Sequence, residues 1–162
     1  MTGFDAWIDW LLEIEGGYTS NAADPGGETN WGIAKRYHPT VDIKNLTREG
    51  AAAIYRVEYW NALQCDELPA AVAFMVADAG VNEGTGTAAK LLQRALTVSA
   101  DGVIGQQTIA AAKGANQAAL LKEVAARRMV KYATDPNALS FELGWARRLM
   151  SCLFEAAKLL ST

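Results

Sequence analysis

The sequence keeps a helical period almost throughout and loses it once, between Tyr18 and Gly32. There the text YTSNAADPGGETNWG is rich in Asn, Asp, Pro and Gly. Such steps favour turns over helix, so the stretch predicts turns or a short hairpin set into a helical chain. The residues before it read as one amphipathic helix. Phe4, Ile8, Leu11 and Glu15 recur on a single stripe flanked by Trp7 and Leu12, and Gly16-Gly17 closes that helix.

Beyond the loop the helical period returns. LTREGAAAIYRVEYW (46–60) predicts a helix with Thr47 as its N-cap, and Pro69 suits the first turn of a helix over 69–82. TAAKLLQRAL (87–96) continues after Gly84 and Gly86, and QTIAAAK is a short helix after the SADGVIG turn. Asn116 caps a helix running to about Tyr132, and a last helix spans about 140–160. With 51% hydrophobic and 20% charged residues the chain can bury a sizeable core. No stretch reaches the apolar length of a membrane span. The first residues lack a basic cluster before an apolar run, so no signal peptide is expected. The organisation predicted is a single domain, or two halves, 1–89 and 90–162, that pack as one cooperative unit.

Several chemistries are disfavoured. His38 is the only histidine and precedes Pro39 in a segment that reads as an exposed turn; zinc hydrolases use two or three imidazoles, and a Ser or Cys peptidase would need His38 as its base. Cys65 and Cys152 are not a CxxC pair and read as buried thiols. No phosphate-cradling glycine motif is present. A net charge of −3 argues against nucleic acid, although residues 70–162 carry ten Lys and Arg against seven Asp and Glu.

Carboxylates remain, and helical register separates them. Asp5, Asp9 and Glu13 fall on the face away from the apolar stripe and read as solvated acids. Glu15 continues the stripe, so it points towards the core. It also sits at the negative pole of the helix, and both that position and partial burial favour the protonated form that a general acid needs. Such an acid suits glycosidic cleavage, where a second group handles water. Asp24 and Thr29 in the polar loop are candidates for that second role, although Asp24 before Pro-Gly-Gly is equally explained by turn chemistry. Tyr18 and Trp31 could stack on sugar rings, with core packing the alternative for Trp31. On the helix at 69–82, Asp78 and Asn82 extend a stripe from Phe74; they suit a cleft wall that bonds sugar, or internal bonds to the loop.

EGGY (15–18), DPGGETNWGI (24–33), YRVEYW (55–60) and ADAGVNEG (77–84), in that order, resemble the signature of glycoside hydrolase family 108, muramidases found mostly in phage endolysins and related wall lysins. The resemblance implies a mainly α, lysozyme-like fold with a small glycine-rich or β-hairpin lobe, and it places the family's catalytic Glu on Glu15. The spacing also resembles family 24 phage lysozymes, whose Glu, Asp (or Cys) and Thr have five residues between the last two; here four separate Asp24 from Thr29. Residues 90–112, with Asp101, Gly102, Gly105 and Thr108, resemble a peptidoglycan-binding module; without the resemblance Asp-Gly is a tight turn.

The function expected is hydrolysis of the β-1,4 bond between N-acetylmuramic acid and N-acetylglucosamine. Glu15 is the acid, Asp24 and Thr29 manage water, and Tyr18, Asn30, Trp31, Asp78 and Asn82 contact substrate. A lytic transglycosylase and a non-catalytic wall-binding or secretion-related protein are the rival expectations. No metal, cofactor, nucleic acid or stable membrane insertion is expected. The partner is bacterial peptidoglycan, the state monomeric, and the location cytoplasmic before release to the wall.

Overall fold

The computed structural model describes residues 2–20, 27–136 and 138–161, the side chains of 138–142 and 161 excepted. Helix α1 (Gly3–Glu15) starts at a capping box: the Thr2 N–H donates to Asp5 Oδ2 at 2.9 Å, and the Asp5 N–H donates to Thr2 Oγ1 at 3.2 Å. Asp5 is therefore a cap rather than a merely solvated acid. Trp7, Ile8, Trp10, Leu11 and Leu12 form the buried face, and Gly16, at φ 77°, ends the helix.

The aperiodic stretch forms a small antiparallel sheet of β1 (Thr19–Ser20), β2 (Glu28–Asn30) and β3 (Ile33–Ala34), in that order. Thr19 faces Thr29, and Asn30 faces Ile33. The β2–β3 turn is Trp31-Gly32, with φ 52° and 77°. Two positive φ values in a two-residue loop match the twist of a hairpin, but Asn-Gly is the usual sequence for it. A tryptophan there is strained, and bonds described below hold it.

Helix α2 (Arg48–Tyr55) is capped by Thr47, whose Oγ1 accepts from the Gly50 N–H at 3.1 Å. The sequence predicts an α-helix on to Trp60, but Arg56–Asn61 widens into a π-helical turn. A short 3₁₀ turn, Cys65–Glu67, leads into α3 (Ala70–Glu83), in which every residue from Ala71 to Gly80 is buried. A helix apolar on all sides belongs at the centre of a fold. Here α3 packs against α1, α4 (Thr85–Ala95), α6 (Gln117–Ala133) and α7 (Ala138–Ala157). Its small residues permit close approach; a Cβ on Gly80 would lie 2.7 Å from Leu63 Cδ1.

Helix α5 (Gln106–Gly114) follows α4, and Asn116 caps α6 by accepting from the Ala119 N–H at 3.0 Å. Leu149 and Cys152 of α7 are fully buried, and Trp145 and Leu153 pack beside them. The core is one cluster that includes Trp7 and Leu11 as well as Val124 and Leu149. The 89/90 boundary falls inside α4, whereas the chain turns at Gly84, φ 88°, between α3 and α4. Among the described residues no helix is long and apolar enough to cross a membrane, and no group of three or more His, Cys, Asp or Glu could hold a metal.

The Asp101-Gly102 turn is a clasp around a buried glutamine. Gln93 Nε2 donates to Asp101 Oδ1 (2.7 Å), Val103 O (2.9 Å) and Thr108 Oγ1 (3.3 Å), and its Oε1 accepts from the Gly102 N–H at 2.9 Å. The Val103 N–H, and then the Gln93 amide, hold the Asp101 carboxyl below the usual carboxylate range. These motif residues therefore shape the chain. Gln93→Leu would leave the Gly102 N–H without its acceptor, at about 1–3 kcal/mol. A thermal melt should show Tm lowered by roughly 2–12 °C, while an unchanged Tm would remove the clasp.

Candidate active site

Glu15, the last residue of α1, heads a cleft of about 600 Å³. Gly32 of the hairpin turn, Tyr55 at the end of α2, Asn82 near the end of α3 and Arg148 of α7 share its walls. Glu15 Oε1 accepts from Arg148 Nη1 at 2.8 Å. The other oxygen, Oε2, looks towards Gly32, where a Cβ would lie 2.9 Å from it and collide with the Tyr55 hydroxyl. Glycine is required at 32 for two reasons, its φ of 77° and this missing side chain. Burial, and next the Glu15 carboxylate, push the Tyr55 phenol well above its ordinary range. It stays a donor, and its OH bonds Trp31 O at 3.0 Å.

Behind Glu15 lies a chain of alternating charge. Arg148 Nε donates to Asp78 Oδ1 at 2.9 Å, and Asp78 Oδ2 accepts from Arg128 Nη1 at 2.9 Å. Arg128 Nε donates to Glu83 Oε1 at 2.8 Å, and its Nη2 to the Tyr132 hydroxyl at 2.9 Å. Arg128 and Asp78 are both fully buried. Burial works against both guanidinium charges, but neighbours led by Asp78 overcome it and raise each above its ordinary range. The partner of Glu15 is thus a permanent cation.

The residues singled out in the sequence separate into groups. Glu15 and Asn82 line the cleft, Asn82 with its Nδ2 donating to Tyr132 OH at 2.9 Å. Asp78 does not reach the cleft; it lies beneath, bonded to two arginines rather than to the glycine-rich loop. Asn30 is likewise buried, its Nδ2 donating to Ile43 O (3.0 Å) and Leu46 O (3.2 Å). Trp31 packs on the core and donates from Nε1 to Leu46 O at 3.1 Å. These bonds brace the strained turn, and neither residue is part of the cleft lining. Tyr18 is 41% exposed, with its hydroxyl donating to Glu28 Oε1 at 2.9 Å. Thr29 Oγ1 lies 2.7 Å from Thr19 Oγ1; it is absent from the described cleft lining but pairs across strands with Ala34, which is part of it. Asp24 lies outside the described residues.

Several cleft groups were not read from the sequence as site residues, Tyr55, Tyr59, Arg36 and Tyr37 among them, and three more sit in pairs of ionisable groups. Arg148 is one. The others are His38 and Glu58, with His38 Nδ1 3.6 Å from Glu58 Oε1. His38 is not an exposed turn residue: its side chain is 16% exposed and faces the cleft. Glu58 and Tyr59 stand on the π-helical turn, a distortion often found at functional sites. Burial, then Glu58 and Glu15, raise the Tyr59 phenol, which places both carboxylates within its electrostatic reach.

Comparison with known proteins gives a consistent picture. Residues 8–84 match the model of glycosyl hydrolase 108, and residues 87–150 match that of a predicted peptidoglycan domain. The chain is also similar to a solved structure, SagA of Brucella abortus, with 30% identity, a TM-score of 0.87, and cover of 98% of this chain and 96% of that one. No curated protein is detectably similar.

The crowding at Gly32 is testable as a coupling. Gly32→Ala should destabilise the protein, because it combines a strained φ with a collision. Tyr55→Phe removes the colliding hydroxyl. The double variant should then be more stable than the two single losses sum to, by at least about 0.5 kcal/mol in denaturant melts. Strict additivity would place the Tyr55 hydroxyl elsewhere.

Proposed function

Since the chain belongs to the glycosyl hydrolase 108 family, we propose that it is an N-acetylmuramidase. It cleaves the β-1,4 bond between N-acetylmuramic acid and N-acetylglucosamine, with Glu15 as general acid. The family match supports a peptidoglycan-directed glycoside hydrolase; the bond and the roles of the residues are our reading. The observation that carries it is the asymmetric environment of one carboxyl group. Arg148 occupies Oε1, while Oε2 faces the open cleft beside Gly32.

In the acting form the proton sits on Oε2, the oxygen that Arg148 leaves free. Oε2 then delivers that proton to the glycosidic oxygen as the bond to the muramic acid C1 breaks. Water attacks C1 from the opposite face and loses its proton to Asp24, with Thr29 positioning it. The C1–O bond to the leaving sugar is replaced by one to water, and the product is a reducing muramic acid end of inverted configuration. Arg148 holds the acid in place, Tyr55 holds the hairpin turn beside it, and Asn82 stands at the cleft wall.

Glu15→Gln keeps shape and the Arg148 bond but removes the transferable proton. Lysis of purified wall should fall by about 10²–10⁴-fold, while Glu13→Gln, on the exposed face of α1, should lyse normally. Mass analysis of the products decides the class. An anhydro end would make the protein a lytic transglycosylase, and a wall that is bound yet uncut would make it a non-catalytic binder.

A separate comparison concerns water. Asp24→Asn and Thr29→Ala should lower turnover and leave sedimentation with insoluble wall unchanged. If Asp24→Asn instead keeps full turnover and only melts earlier, Asp24 shapes the Pro-Gly-Gly turn and another group handles water.

A further inference from the structure

A second concavity shares no lining residue with the Glu15 cleft. Between α4 and α6 runs a groove of about 580 Å³, floored by Leu91 and Ala126 and edged by Val130. Arg94, Arg127 and Lys131 stand around it against one acid, Glu123. We infer that this groove is a ligand site for the carboxylate-bearing peptide stem of peptidoglycan, engaged while the glycan lies in the Glu15 cleft. The inference rests on the peptidoglycan reading above and adds to it a place and a chemistry.

Unsatisfied donors are the first argument. The Arg94 side chain has no hydrogen bond or ion pair among the described residues. Arg127 meets Glu123 through Nη2 at 2.7 Å, but its Nε is buried with no acceptor. The Arg127 side chain is nonetheless 37% exposed, so part of it is open to a ligand in the groove. Lys131 Nζ is only loosely engaged, 4.0 Å from Glu83 Oε2. Two guanidinium groups and an ammonium match carboxylates in charge, and guanidinium matches them in shape as well. The exposed Val130 (65%) suits the short apolar side chains of alanine.

Length agrees. The groove follows α6 from Glu123 to Thr134, eleven residues on, which at the helical rise is about 16 Å. An extended peptide of four or five residues spans about 13–18 Å. Past Arg127 a second hollow of about 530 Å³ continues to Ala115 and Asn116, with room for a cross-linked neighbour.

Position agrees too. Asn82 lines the cleft and bonds Tyr132, while the residue after Asn82, Glu83, and the residue before Tyr132, Lys131, approach each other beside the groove. The Asn82–Tyr132 bond thus links a cleft residue of α3 to the chain neighbour of a groove residue of α6. A stem leaves its glycan through the lactyl group of muramic acid, so its binding surface must adjoin the cleft that holds the sugar.

The test uses the full-length protein, labelled with ¹⁵N, and two probes. One is the N-acetylated tetrapeptide L-Ala-γ-D-Glu-meso-diaminopimelate-D-Ala; the other is a peptide-free chitotetraose. The tetrapeptide should shift amide resonances along α4 and α6, and chitotetraose those around Glu15, Gly32 and Asn82. Arg94→Glu, a change at a side chain with no internal partner, should weaken tetrapeptide binding at least tenfold and leave chitotetraose unaffected. Arg94→Lys should restore part of the loss, and the stem amidated at the glutamate α-carboxyl should bind less well than the acid. Tetrapeptide that shifts no groove resonance, or binds Arg94→Glu and Arg127→Ala as it binds the unaltered protein, overturns the inference. If wall is cleaved in that case, the hydrolase reading survives alone. Tetrapeptide in the groove of a protein that cuts no wall would uphold the groove and remove the hydrolase.

Discussion

Arg148 ties Glu15, at the end of α1, to Asp78, in the middle of α3, across 133 and 70 residues of sequence. Arg128 extends the tie to Glu83 through α6. Three carboxylates and two guanidiniums thus meet where four helices converge. Buried pairs of this sort are weak evidence for stability, since hydrophobic replacements often do as well; removing one partner, however, costs about 3–5 kcal/mol. The network therefore acts mainly as a specification. Moving α1, α3, α6 or α7 would part a charge from its partner, and this placement sets the Glu15 carboxyl at the head of the cleft.

The hairpin lobe depends on the same placement from the other side. Trp31 at φ 52° is held by its own Nε1 bond to Leu46 O, by the Asn30 bonds to Ile43 O and Leu46 O, and by Tyr55 OH on Trp31 O. Four hydrogen bonds of about 1 kcal/mol net each exceed the roughly 1–3 kcal/mol of a strained backbone position. What the strain secures is the approach of Gly32 to Glu15. A relaxed turn would need a different residue pair there and would move the one wall of the cleft that carries no side chain.

Much of this was legible in the sequence. Periodicity located the helices, Thr47 and Asn116 marked two starts, and the break at Gly16-Gly17 placed Glu15 at a helix end on the inward stripe. The partners were not legible. A stripe says that Asp78 points inward but not that arginines 50 and 70 residues away will meet it, because a carboxylate bound for sugar and one bound for guanidinium look alike in one dimension. The motif around Asn30 and Trp31 marked the right turn, yet which side of it faces the cleft is decided by the bonds to Ile43 and Leu46. The π-helical turn left no trace, since one extra residue in a turn hardly disturbs a 3.6-residue pattern. That hid Glu58, and with it the pairing that brings His38 into the cleft.

The two matched regions meet between residues 84 and 87, where α4 begins just past the single residue that follows α3. A binding module on a flexible linker raises the local concentration of its ligand but leaves its register free. Here the junction is a single glycine, and α3 lies in one core with residues of α1, α6 and α7. If the groove holds the stem as inferred, glycan and stem are held at one fixed offset, because the helices of cleft and groove share that core. On the inferred reading, such a site senses the attachment point of the stem as well as the sugar, and the basic groove takes part in choosing the bond to be cut.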